Sequence, residues 1–166
     1  YALRDTAGKY FGYVCADIEQ GPERVVGVMG IVTAMLYARY KAGKLPLALV
    51  SMDNVARNGE KLRASVLEIA AEWQKRGFVE AGFVDYVSDE HTVSFPWTMI
   101  DKITPRPSTD VANALEADGV ENMQPVITAK QTYIAPFVNA EGPQYLVVED
   151  NFPNGRPPLE KAGVYM

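Results

Sequence analysis

Polar or bulky side chains follow three apolar runs of the chain, at the point where each run ends. The segments are SMDN at residues 51–54, PWT at residues 96–98 and EDN at residues 149–151. Their carboxylate, amide and hydroxyl groups can hydrogen-bond a small polar ligand. In open parallel sheets, ligands bind outside the carboxyl ends of the strands. The pattern therefore predicts a ligand site built from these three segments.

Each segment also has a structural interpretation. Asp53 and Asn54 are residue types that often form a turn or cap a helix, and Trp97 after Pro96 is consistent with a packed aromatic side chain. The pair Glu149–Asp150 is consistent with an exposed acidic loop. The shared position at strand ends favours the ligand site.

Several other kinds of site are excluded by the residues present. The sequence contains no G-x-G-x-x-G loop, no P-loop and no G-x-S-x-G nucleophile motif. A single cysteine, Cys15, and a single histidine, His91, exclude a zinc site of the usual Cys/His type, and no metal is expected. We interpret His91 as a surface residue in a turn before a strand. One cysteine without a partner favours a reducing compartment and a cytoplasmic location.

The composition predicts one globular α/β domain. The chain has 166 residues, of which 48% are hydrophobic and 22% charged, with a net charge of −5. It is too apolar for a disordered protein, and its acidic balance argues against nucleic acid and anionic membranes as partners. Its longest apolar stretch, residues 25–37, is too short to span a bilayer. The chain begins with Tyr rather than Met, and we expect it to begin within a longer protein.

Strand and helix patterns alternate, as in the βαβ units of a parallel sheet. Residues 2–18 are predicted as a loop with a short strand. Pro22 and Glu23 favour a following helix that lies buried against a sheet, with Met29, Met35 and Tyr37 in the core. The remaining predictions are strands at 45–52, 92–95, 125–129 and 145–149, a helix at 58–75 capped by Asn58, an amphipathic stretch at 78–87, and a helix at 110–117 capped by Ser108 or Thr109.

Three blocks of the sequence resemble the mannitol dehydrogenase family, the polyol-specific long-chain dehydrogenases that include the fructuronate and tagaturonate reductases. SMDN (51–54) with NGEKL (58–62) resembles the family's "DN…NGE.L" segment. VSFPWTMIDKITP (93–105) is similar to the signature that contains "VDRI". YLVVED (145–150), GRP (155–157) and EKAGV (160–164) are similar to "VIED…GRP…E..GV". The blocks occur in the family's order.

The resemblance implies a partial Rossmann-type parallel sheet with flanking helices, lacking the first βαβ unit. Residues 1–166 would form the later part of an NAD- or NADP-binding domain. The family's glycine-rich loop and its helical catalytic domain, with a Lys, an Asn and a His, are absent from this sequence. The implied reaction is hydride transfer between a nicotinamide and a secondary alcohol or ketone of a polyol or hexuronate. The chain alone is expected to be inactive and to need the remainder of its own polypeptide.

The resemblance also implies roles for five residues. Asp53, Asn54 and Thr98 are assigned to the coenzyme, the first two beside the nicotinamide ribose. Trp97 would face the substrate oxygen, and Asp150 would reach the substrate hydroxyls or the catalytic Lys. Mannitol-oxidising members carry Asn in place of Trp97, and an indole does not reproduce both hydrogen-bonding functions of an amide. This difference argues against mannitol and leaves a hexuronate or another sugar acid.

Two other classes of function remain open at this point. One is a nucleotide-binding module without catalytic activity, and the other is a scaffold domain in which the acidic strand ends only cap helices. Binding of NAD(P) or NAD(P)H by the complete protein separates the enzyme from the scaffold.

Overall fold

The structure, a computed structural model, describes residues 1–101, 104–140 and 145–162. The α-helices are α1 (Gly12–Gln20), α2 (Val28–Lys41), α3 (Asn58–Lys75), α4 (Ala81–Ser88) and α5 (Thr109–Ala117), and a 3₁₀ turn covers Leu159–Ala162. The strands are β1 (Leu47–Ala48), β2 (Val93–Ser94), β3 (Thr98–Asp101), β4 (Val126–Ile127), β5 (Tyr133–Ile134) and β6 (Tyr145–Val148). The chain divides into two compact units, the first Tyr1–Met99 with Val147–Met166 and the second Ile100–Leu146.

Helix α3 is the centre of the first unit. Apolar residues recur along it at intervals of three and four and share one buried face, Leu62, Val66, Ile69, Ala70 and Trp73. The Trp73 indole N–H donates to the carbonyl oxygen of Asp17 at 2.9 Å, which satisfies its one buried donor. The predicted helix over residues 58–75 is confirmed at both ends.

A buried carboxylate joins α1 to the start of α2. Asp17 is 1% exposed, and its two carboxylate oxygens accept the backbone N–H groups of Val26 at 2.7 Å and Gly27 at 2.9 Å. Negative charge is favourable at a helix N-terminus, where backbone N–H groups lack partners within the helix. A methyl group at Gly30 would lie 2.3 Å from Asp17 Oδ2, so the close approach of the two helices requires glycine there.

The prediction of a loop over residues 2–18 is wrong from residue 12 onwards, because α1 begins at Gly12. Its buried stripe is short, Val14, Asp17 and Ile18, and it contains a charged residue, so the helical period is hidden in the sequence. The helix predicted to start at Pro22 and Glu23 begins at Val28 instead.

Helix α2 packs against α3 and α4. Met29 and Tyr37 pack partly buried against the core, whereas Met35 is 67% exposed, and its predicted core position is wrong. The helix is apolar over most of its circumference, so the sequence did not reveal which side faces inward.

Strands β1 and β2 form a parallel pair, with Leu47 opposite Val93 and Ala48 opposite Ser94. Together with α3 and α4, which lie between them in the chain, they form the expected parallel βαβ unit, and the α/β class is confirmed. The strand predicted over residues 45–52 pairs over two residues only. The predicted strand over residues 145–149 is present as β6, but it pairs with β3, which was not predicted.

The second unit contains α5 and a β-hairpin. Ser108 caps α5 as one of the two predicted candidates, since its hydroxyl accepts the Asp110 N–H at 3.2 Å. Strand β4 pairs antiparallel with β5, so the parallel arrangement expected for the strand at 125–129 is wrong. The Gln131 N–H donates to the Thr128 carbonyl at 2.9 Å and reverses the chain between the strands.

Candidate functional site

The carboxyl ends of β1 and β2 lie at the same edge, because the two strands are parallel. Asn58, at the start of α3, joins the segments that follow them. Its amide nitrogen donates to the Asp53 carbonyl at 2.9 Å and to the Thr98 hydroxyl at 2.7 Å, and its oxygen accepts the Thr98 N–H at 3.0 Å. Asn58 is 0% exposed, so these bonds replace hydration of a buried amide.

Thr98 and Ser51 connect the same segments a second time. The Thr98 hydroxyl donates to the Ser51 carbonyl at 2.5 Å. The Ser51 hydroxyl accepts the Asp53 N–H at 3.3 Å and is hydrogen-bonded to the hydroxyl of Tyr1. Residues 51–53 are therefore held by Asn58 and Thr98 on one side and by Tyr1 on the other.

The start of α3 lies in close contact with the residues that follow β2. A methyl group at Gly59 would lie 2.2 Å from the Phe95 carbonyl oxygen and 2.9 Å from that of Pro96. Gly59 is thus required by the close approach of two backbones. It allows the side chain of Asn58 to reach Thr98.

The segment after β6 completes the cluster in the first unit. The Trp97 N–H donates to the Glu149 carboxylate at 3.0 Å, and the Glu149 N–H donates to the Trp97 carbonyl at 2.9 Å. The Ser94 hydroxyl donates to the Asn151 carbonyl at 2.6 Å. The three strand-end segments singled out in the sequence are therefore in contact.

The Trp97 side chain is 46% exposed and is not a core aromatic. The Arg57 guanidinium lies 5.6 Å from the centre of its ring system, within the range of a cation–π contact. The indole lines a 340 Å³ cavity together with Glu60, Arg63 and Glu149. Trp97 can therefore contact a ligand at the edge.

Two further cavities flank Asp53. They measure 580 and 570 Å³, and both are lined by Tyr1, Ala2 and Asp53. The first extends to the N-terminal turn of α2 at Gly27 and Val28, and the second to Lys61 and Ser65 on α3.

The structure brings together Asp53, Thr98 and Trp97 of the five predicted site residues. Asn54 and Asp150 are exposed and adjoin this cluster along the chain. Two pairs of residues in the resembling blocks, Lys102–Ile103 and Gly163–Val164, lie outside the described residues. Within the described ranges, no group of three His, Cys, Asp or Glu residues is placed to hold a metal ion.

Sequence reasoning missed the role of Asn58, which it interpreted as a helix cap. Arg57 occupies the N-cap position instead, and Asn58 is the first helical residue. It also missed the contribution of Tyr1 and the pairing of Glu149 with the backbone of Trp97. The Asn-Gly pair at the start of a helix was the available signal for Asn58, since glycine there permits a close approach. Nothing in the sequence pointed to Tyr1.

Comparison with known proteins identifies the family. The family model for the mannitol dehydrogenase Rossmann domain matches residues 15–161. The chain belongs to the mannitol dehydrogenase family, as the resemblance of its sequence blocks implied.

Similar proteins are dehydrogenases of about three times this length. D-mannonate oxidoreductase of Thermotoga maritima is 54% identical over 162 residues, which cover 98% of this chain and 30% of that protein. Polyol:NADP oxidoreductase of Gluconobacter oxydans is 33% identical over 171 residues, covering 100% of this chain and 31% of that protein. The solved Pseudomonas fluorescens mannitol 2-dehydrogenase, a ternary complex with NAD and D-mannitol, matches with a TM-score of 0.60 at 29% identity and covers 96% of this chain and 29% of that one.

Proposed function

We propose that the complete protein containing this chain is an NAD(P)-dependent oxidoreductase of sugar acids. It would transfer a hydride between a nicotinamide and a secondary alcohol or ketone. The observation that carries the proposal is the contact of three polar segments, two that follow the strands of a parallel pair and one that follows β6. Family membership supports it.

The residues after β1 fit a nicotinamide coenzyme. Asp53 is exposed and lines two adjacent cavities, so its carboxylate can accept hydrogen bonds from ribose hydroxyls. Asn54 is exposed beside it. The Thr98 hydroxyl donates to Ser51 and accepts from Asn58, which leaves one lone pair free for a ligand donor. When bound, the coenzyme supplies the hydride-transfer chemistry.

Trp97 and Asp150 are assigned to the substrate. The exposed indole of Trp97 can pack on a sugar carbon chain, while the exposed Asp150 carboxylate can accept hydrogen bonds from hydroxyl groups. Trp97 lacks the amide of the mannitol-oxidising members, and this difference favours a sugar acid over mannitol. The Thermotoga maritima relative is named for D-mannonate, a sugar acid, which supports the same choice.

The remainder of the polypeptide is the proposed partner of this chain. The relatives are about three times as long, and in this family the phosphate-binding loop and the catalytic Lys lie outside the matching part. We propose that residues 1–166 supply the later part of the coenzyme-binding domain and are inactive alone. In the described part of the chain, no helix is long and apolar enough to cross a bilayer. A cytoplasmic location stays a prediction from the single cysteine.

The proposal is tested by coenzyme binding and turnover of the complete protein. We expect NADH or NADPH to bind in a fluorescence titration, and D-mannonate, fructuronate or tagaturonate to be converted faster than mannitol or fructose. Binding without turnover of any of these compounds would contradict the substrate class. Absence of both NADH and NADPH binding would contradict the oxidoreductase assignment itself.

Two substitutions test the substrate side of the site. Asp150→Asn is expected to lower kcat with sugar acids by a larger factor than it raises the Kd for NADH. Asp118→Asn, at an exposed carboxylate after α5, is the matched control and should change neither quantity. Trp97→Asn is expected to shift preference towards polyols in soluble protein. Loss of soluble Trp97→Asn protein would indicate a structural role for the indole.

A further inference from the structure

The hydroxyl of Tyr1 is tied to the coenzyme segment through a single side chain. It is hydrogen-bonded to the Ser51 hydroxyl, and that hydroxyl accepts the backbone N–H of Asp53 at 3.3 Å. Ser51 is 6% exposed, so water has little access to compete for its hydroxyl. The orientation of the Ser51 hydroxyl therefore depends on Tyr1, and the position of the Asp53 backbone N–H depends on the Ser51 hydroxyl.

The backbone of Tyr1 is held independently from α3. The Ser65 hydroxyl donates to the Tyr1 carbonyl at 2.7 Å. A few residues on, the Arg4 guanidinium donates to the Glu68 carboxylate at 2.6 Å. These contacts fix the start of the chain to a rigid helix, so Tyr1 can act as a fixed support for a loop residue.

Tyr1 also borders the space that a ligand beside Asp53 would occupy. Tyr1, Ala2 and Asp53 line both the 580 Å³ and the 570 Å³ cavity. A ligand that contacts the Asp53 carboxylate from either cavity is therefore bordered by Tyr1. Nothing in this arrangement places Tyr1 against Trp97, which lines a different cavity.

We propose that Tyr1 is a positioning residue of the coenzyme site, which fixes Asp53 through the hydroxyl of Ser51. The inference rests on the proposed function, because it takes Asp53 as a coenzyme ligand. It adds a residue outside the strand-end segments, contributed by the part of the chain that precedes α1. The tyrosine ring forms part of the wall, and its hydroxyl sets the loop geometry.

The test uses Tyr1→Phe, Ser51→Ala and the double variant of the complete protein, with NADH and NADPH as probes. Tyr1→Phe keeps the ring and removes the hydroxyl, so we expect a Kd raised about two- to tenfold, the worth of one neutral hydrogen bond. The KM of the sugar acid should stay near the wild-type value. Ser51→Ala should raise the Kd similarly, and the double variant should add no further increase, since both act in one chain of contacts.

Tyr10→Phe is the matched control. Tyr10 lies in the same segment, but its hydroxyl binds Glu68, so its removal should leave the Kd unchanged. An unchanged Kd for Tyr1→Phe, while the wild type binds and turns over, would overturn the inference and leave the proposed function standing. Additive effects of Tyr1→Phe and Ser51→Ala, or a raised KM for the sugar acid with unchanged Kd, would overturn positioning through Ser51. Failure of the wild type to bind either coenzyme would refute the proposed function as well.

Discussion

Replacing Asn58 by alanine should destabilise the protein strongly, because one buried amide serves two segments. The substitution removes the hydrogen-bond partner of the Asp53 carbonyl and that of the Thr98 N–H. A buried polar group left without a partner costs about 1–3 kcal/mol. Asp53 is exposed, and its carbonyl can be hydrated instead. We therefore take the lower end of this cost for the Asp53 carbonyl and the middle of the range for the Thr98 N–H. The expected loss is about 3 kcal/mol, a large share of a typical unfolding free energy of about 5–15 kcal/mol.

Urea unfolding measures this loss. With a slope of about 1–3 kcal/mol per molar urea, the midpoint of Asn58→Ala should fall by about 1–3 M. Asn58→Asp keeps the shape but replaces the donor by an acceptor that faces the carbonyl oxygens of Asp53 and Thr98, so its midpoint should fall at least as far at neutral pH. Asn54→Ala, at an exposed asparagine four residues earlier, is the control and should shift the midpoint by less than about 0.3 M, as surface substitutions do. A loss below about 1 kcal/mol for Asn58→Ala would refute the view that this amide joins the strand ends.

Three further predictions concern the supports of the site. Asp17→Asn should lower the free energy of unfolding by about 1–3 kcal/mol. One of the two carboxylate oxygens that accept backbone N–H groups becomes an amide nitrogen, which cannot accept a hydrogen bond. Glu19→Gln on the same helix is its control, and equal melting temperatures would contradict the carboxylate's role. Gly59→Ala should cost about 1–3 kcal/mol by overpacking against the Phe95 carbonyl. Gly12→Ala, where a methyl group meets nothing within 4 Å, should not lower the free energy of unfolding. Similar losses of stability for Gly59→Ala and Gly12→Ala would refute the close-approach argument. Burial, followed by the hydrogen bond to Glu68, raises the pKa of Tyr10 to about 12. The folded protein then holds this proton more tightly than the unfolded chain, so stability contributed by Tyr10 is lost as the pH rises from about 10 to 12. Tyr10→Phe should lose less stability than the wild type between pH 9 and 12 in thermal unfolding, and parallel curves would contradict this.

The helix at the centre of the fold could be predicted because every local signal agrees. In α3 the apolar spacing, Glu60 in the first turn and Gly77 after the end all indicate the same boundaries. In α1 they conflict, since the residue at the centre of its buried stripe is Asp17. Only the tertiary contact with the start of α2 explains that position.

The edge of the candidate site could be predicted, but its internal support could not. The rule for parallel strands places the residues after β1 and β2 together whatever the side chains are. The contacts that hold them, such as Asn58 to Thr98 and Tyr1 to Ser51, join residues 40 and 50 positions apart. Their formation depends on how α3 and the first residues pack, and a single sequence carries no local pattern for that.

The central claim is that the carboxyl ends of β1 and β2 form the floor of the coenzyme cleft. The most direct measurement is an experimental structure of the complete protein with NAD or NADP bound. We predict that the nicotinamide riboside lies against Asp53 and Asn54, with Thr98 in contact and Trp97 and Asp150 facing the substrate space beside it. A coenzyme bound at the amino ends of these strands, or remote from Asp53, would contradict the account.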